Sequence, residues 1–86
     1  MNDPAYPHEY AALEAEFTLA AALIRARTDA GLTQQELAER LGTKQEVIAR
    51  WEGGKVLPST RSLARLAKAT GTRLQISFAP SHAAAK

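Results

Sequence analysis

No cysteine occurs in the 86 residues, so neither a disulfide framework nor a thiolate metal site is open to this chain, and a reducing cytoplasm suits it. Histidine is almost as scarce. His8 and His82 stand near opposite ends, far from any Ser/His/Asp set or metal-spaced cluster, and no Gly-rich phosphate loop is present. The expected activity is therefore binding rather than catalysis, with no cofactor and no metal. No apolar run approaches the length of a membrane span or a signal-peptide core. Basic residues are missing from positions 1–16, which carry Asp3, Glu9, Glu14 and Glu16, while the rest holds eleven basic side chains against five acids. An acidic leader on a basic body suggests two partners, or one partner and a self-masking arm.

What is present is helical punctuation. Tyr10, Leu13, Phe17, Ala20, Ala21, Ile24 and Thr28 share one stripe and predict a long first helix over Glu9–Asp29, with a possible break near Ala15. Thr33 and Glu36 have the spacing of a capping box, in which each side chain satisfies a free backbone N–H at a helix start. The second helix then covers Gln34–Leu41, with Leu37, Ala38 and Leu41 inward. Thr43 and Glu46 repeat the spacing and predict a third helix over Lys44–Glu52. Ser59 is a natural cap for a fourth, in which Leu63, Leu66, Ala67 and Thr70 lie opposite Arg61, Arg65 and Lys68.

After Gly71 the period changes. Leu74, Ile76 and Phe78 alternate with Arg73, Gln75 and Ser77, the pattern of a half-buried strand. A single strand cannot satisfy its own backbone groups, so the expected partner is the same strand of a second copy, antiparallel about a two-fold axis. The expected organisation is an acidic leader and helix start at 1–16, a helical domain at 17–72, a dimerisation strand at 73–79 and a disordered tail at 80–86. The fold class is all-α, a compact four- to five-helix bundle plus that one short strand.

Helices two and three are separated by only a few residues around Gly42, too few for the second to run back along the first, so they cross steeply as in a helix-turn-helix. At 100° per residue, Val47, Ile48 and Trp51 point inward, while Gln45, Glu46, Ala49 and Arg50 point out. That outer face offers an amide for adenine, a guanidinium for guanine or phosphate, and an alanine small enough for close approach. Glu46 either accepts from cytosine N4 or serves only the second capping box, and the spacing favours the cap. Gln34 and Thr43, at two positive helix ends, and Lys55, after the Gly pair, frame this face for phosphate. Arg61, at the start of helix four, is a further backbone candidate, while Arg65 and Lys68 read as solvated surface.

The stretch "LTQQELAERLGTKQEVIARWEGGK" resembles the helix-turn-helix of phage-repressor and Cro-like regulators, the XRE family. The resemblance implies a lambda-repressor-like bundle whose third helix enters the major groove, and dimers reading half-sites about 34 Å apart on double-stranded operator DNA. It implies base reading by Lys44, Gln45, Glu46 and Ala49, and backbone or other DNA-facing roles for Gln34, Thr43, Arg50 and Lys55. It also implies a structural ion pair between Arg27 and Glu52. Residues 14–79, through "EFTLAAALIRARTDAGLTQ" and "PSTRSLARLAKATGTRLQISF", further resemble HigA-type antitoxins. That resemblance implies a homodimeric, autoregulating repressor that neutralises a small basic RelE/HigB-like mRNA endonuclease toxin encoded beside it. Glu9, Glu14 and Glu16 are then the toxin-facing candidates. A freestanding XRE regulator and a protein-interaction module without DNA binding are the alternatives.

Overall fold

The computed structural model describes residues 5–80, with side chains from residue 15 onward. Four helices form in chain order: α1 (Ala5–Asp29), α2 (Gln34–Leu41), α3 (Gln45–Glu52) and α4 (Thr60–Thr70). Their shared core is Leu23, Leu32, Leu37, Ala38, Leu41, Ile48 and Leu66, with Leu19, Ala26, Trp51, Leu63 and Ala69 packed against it. Leu37 and Ile48, on the two short crossing helices, are fully buried. Truncating Leu37 to Ala would be expected to cost about 2–5 kcal/mol through lost transfer energy and the cavity left behind.

Local chemistry accounts for the helix boundaries. Thr33 Oγ1 accepts from the Glu36 N–H at 3.0 Å and Glu36 Oε1 accepts from the Thr33 N–H at 2.8 Å, closing the capping box of α2. Gly42, in the left-handed region at φ 68°, stops α2, and the Thr43 N–H reaches back to the Ala38 carbonyl at 2.9 Å. Ser59 Oγ accepts from the Ser62 N–H and starts α4.

Three expectations need correction. First, α1 begins earlier than expected and runs unbroken to Asp29, and over residues 15–29 its buried face is centred about one position earlier than expected. Leu19, Ala20, Leu23, Ala26 and Arg27 face the bundle, whereas Phe17 is 70% exposed and Ala21, Ile24 and Thr28 are also exposed. The helix is rich in alanine and carries apolar residues around its circumference, so spacing alone admits both stripes. The contact of Arg27 with α3 selects one.

Second, the repeated capping box at Thr43 and Glu46 does not form. Lys44 is the N-cap of α3, without a side-chain bond. The turn that closes α2 uses the Thr43 backbone, which leaves Thr43 one position too early to cap α3. Third, no strand forms among the described residues. Leu74 lines a groove of about 250 Å³ with Leu19, Ala22, Leu63 and Leu66, but Ile76 is 64% and Phe78 99% exposed, so they do not cover the helices. Among the described residues no neighbouring extended segment offers the backbone groups a ladder requires. Of the tail at 80–86, residues 81–86 lie outside the described residues.

Two arginines tie α2 to α4. Arg40 Nη1 donates to the Ala69 carbonyl at 3.0 Å, and Arg65 Nη2 donates to the Leu41 carbonyl. Each helix thus supplies a cation to the other's C-terminal end, where carbonyls lack helical partners and the dipole is negative. Arg65, like Arg61 and Lys68, is exposed, but its guanidinium is engaged by the Leu41 carbonyl.

Candidate nucleic-acid interface

The site is built where α2 and α3 begin. Gln34 and Gln45 are the first residues of these two helices, and the crossing brings their side chains together. Behind them sits an ion pair between α1 and α3. Arg27 Nε donates to Glu52 Oε2 at 2.6 Å and Arg27 Nη2 to Glu52 Oε1 at 3.0 Å, a bidentate fork, while Nη1 donates to the Leu32 carbonyl at 2.9 Å. The side chains of Arg27 and Glu52 are only 15% and 6% exposed. Hydrogen bonding to Glu52 and its negative charge raise the Arg27 pKa further, against the opposing effect of burial.

Gln34 Nε2 donates to Glu52 Oε1 at 2.8 Å, and Gln45 Nε2 donates to Gln34 Oε1. Arg27, Glu52, Gln34 and Gln45 thus form one continuous series from the bundle to the outer end of α3. Donating one amide hydrogen to Gln34 leaves Gln45 its oxygen and its second hydrogen, the two groups that a bidentate contact with adenine requires.

The remaining predicted residues surround this point. Lys44, Glu46 and Arg50 are exposed, Thr43 and Ala49 are half-buried, and Val47 and Trp51 turn toward the bundle with Ile48. Without a box to close, the Glu46 carboxylate is not held to the backbone of α3's first turn. Lys55 is exposed after the Gly53–Gly54 stop, and Arg61 is exposed in the first turn of α4. Among the proposed toxin-facing residues, Glu9 and Glu14 lie outside the described side chains. Glu16 is half-buried and lines a small recess with Phe17, Gly53 and Gly54, on the α1 side of the loop that follows α3.

Spacing singled out the individual candidates but not the link from Gln34 to Glu52. The available signal was a glutamine opening each of two crossing helices, which forces the two amides toward one another. Among the described residues, no group of histidine, cysteine or acidic side chains could hold a metal ion, and no helix is long and apolar enough to cross a membrane.

Two short helices crossing at a glycine turn, with the second presenting a polar face, define a DNA-binding helix-turn-helix domain. The Helix-turn-helix family model matches residues 23–76, and the chain belongs to that family, in its XRE type. Similar curated proteins include multiprotein-bridging factor 1a of Arabidopsis thaliana, 41% identical over 54 residues, which covers 63% of this chain and 38% of that protein. Multiprotein-bridging factor 1 of Eremothecium gossypii is 37% identical over 54 residues, covering 63% of this chain and 36% of its own length. Endothelial differentiation-related factor 1 of Rattus norvegicus is 37% identical over 51 residues, covering 59% and 34%. The chain thus spans well under half the length of these relatives. Their names refer to bridging and differentiation, and the resemblance to antitoxins finds no support among them.

Proposed function

We propose that this protein is a sequence-specific transcriptional regulator that binds operator DNA as a homodimer, with α3 in the major groove. The observation that carries this reading is the bracketed Gln45 amide on a helix face without a large apolar side chain. Lys44, Glu46 and Ala49 complete the reading surface, and Gln34, Thr43, Arg50, Lys55 and Arg61 contact the backbone or its surroundings. Dimerisation would place two such helices on successive turns of one groove face, and pairing of residues 73–79 between copies would give Leu74, Ile76 and Phe78 a covered face.

Retardation of the protein's own upstream DNA across a salt series tests the reading. Neutralisation of several phosphates predicts a steep linear fall of log affinity with log salt, together with preference over unrelated DNA. Affinity that is equal on both DNAs and insensitive to salt would reject it. Sedimentation of the chain cut after Thr72 tests the dimer contact: a stable dimer without the segment removes its assigned role.

A protein partner is supported by a separate observation. Phe17, Val56 and Leu57 are 70%, 46% and 54% exposed, and bridging factors are among the similar proteins. In the repressor-antitoxin form of this proposal, the partner is a small basic RNA endonuclease held at the acidic start of the chain. Mild affinity purification from the native locus should then yield a stoichiometric basic protein from the adjacent gene. Recovery of the regulator alone, still active on DNA, would favour a freestanding regulator.

A further inference from the structure

From the direction of the hydrogen bonds behind α3, we infer that Glu52 is a positioning residue for base specificity: its charge fixes which way round the Gln45 amide faces the DNA. The inference rests on the DNA-reading function proposed above. A carboxylate only accepts hydrogen bonds, whereas a glutamine amide has one accepting and one donating end. Glu52, already engaged by both arms of Arg27, therefore requires the Nε2 end of Gln34. Gln34 must then turn its oxygen toward Gln45, and Gln45 must answer with Nε2. One charge, two hydrogen bonds removed, thereby sets the polarity of the reading amide.

That polarity has a chemical consequence. The major-groove edge of adenine offers a donor at N6 and an acceptor at N7, while guanine offers acceptors at both O6 and N7. An amide fixed with a defined oxygen and a defined free N–H satisfies the adenine edge and leaves its oxygen facing an acceptor on guanine. A freely turning amide can donate to guanine with either N–H, so its discrimination falls. Glu52 thus excludes guanine at the position read by Gln45 without approaching the DNA.

Two variants separate this role from simple support of the fold. Glu52→Gln keeps the shape but supplies an amide that can either donate or accept, so the polarity is no longer imposed. Gln34→Met breaks the series while retaining the Arg27–Glu52 pair. Selection from random duplexes, performed below the melting temperature of every variant, reads base preference position by position. The native protein should enrich a motif with an adenine preference that Gln45→Ala abolishes. In both test variants the preference for adenine over guanine at that one position should fall about three- to tenfold, the scale of restored rotamer freedom, with other positions unchanged. Full retention of the adenine preference in both variants would overturn the inference. If the native protein enriches no motif, the DNA-reading function itself fails. A motif unaffected by Gln45→Ala would instead overturn the role of Gln45, and with it that of Glu52.

Discussion

The start of α2 is closed by its own side chains, whereas the same Thr-x-x-Glu spacing ten residues further on leaves the start of α3 open. The difference lies in what precedes each helix. Thr33 follows the end of α1 at sufficient distance to take the capping position, but Thr43 is drawn into the turn that ends α2. A capping box requires its threonine at the boundary residue itself, and a shift of one position disables it. The open start has free backbone donors, an exposed Lys44 and an unconstrained Glu46, the features suited to meeting a ligand. The closed start instead anchors the bundle.

The largest expected effect comes from removing what stands behind both starts. Glu52→Ala leaves the Arg27 charge without its partner in a mostly buried site and removes the acceptor of Gln34, so stability should fall by about 2–4 kcal/mol. In a thermal scan that corresponds to a drop of roughly 10 °C or more for a domain of this size. An unchanged midpoint would show that the two starts stand without the pair.

Gln45→Ala acts at the open start alone. It should weaken operator binding by about 1–3 kcal/mol and spare nonspecific DNA, as measured by titration on both duplexes. Equal losses on the two would make Gln45 a backbone contact. The comparison itself is sharpened by a matched pair of threonine variants. Thr33→Ala should cost about 1 kcal/mol in urea unfolding, and Thr43→Ala less than about 0.5 kcal/mol. Equal costs would mean that the second cap forms in solution after all.

The short crossing helices were legible because their signals are local. Leu37, Ala38 and Leu41 recur at helical spacing, and Thr33, Gly42, Ser59 and Gly71 mark ends with chemistry that acts within a few residues. The orientation of α1 was not, since alanine is indifferent to which side it buries and only the distant contact between Arg27 and Glu52 decides. For the same reason the bonds from Gln34 to Glu52 and from Arg65 to Leu41, spanning 18 and 24 residues, leave no periodic trace. The alternation at Leu74, Ile76 and Phe78 is legible as a pattern, yet a ladder depends on a second set of backbone groups that one chain does not supply.

The exchanged arginines between α2 and α4 have a bearing on how the domain opens. Because the last turn of each helix is held by a side chain rooted in the other, fraying one end releases a restraint on its neighbour, and the two turns should behave as one cooperative unit. Amide hydrogen exchange would show this as a common protection level near Leu41 and Ala69, reduced at both places when Arg40 alone is replaced. The third helix begins four residues beyond Leu41, so the lifetime of that shared unit limits how long α3 keeps its bearing.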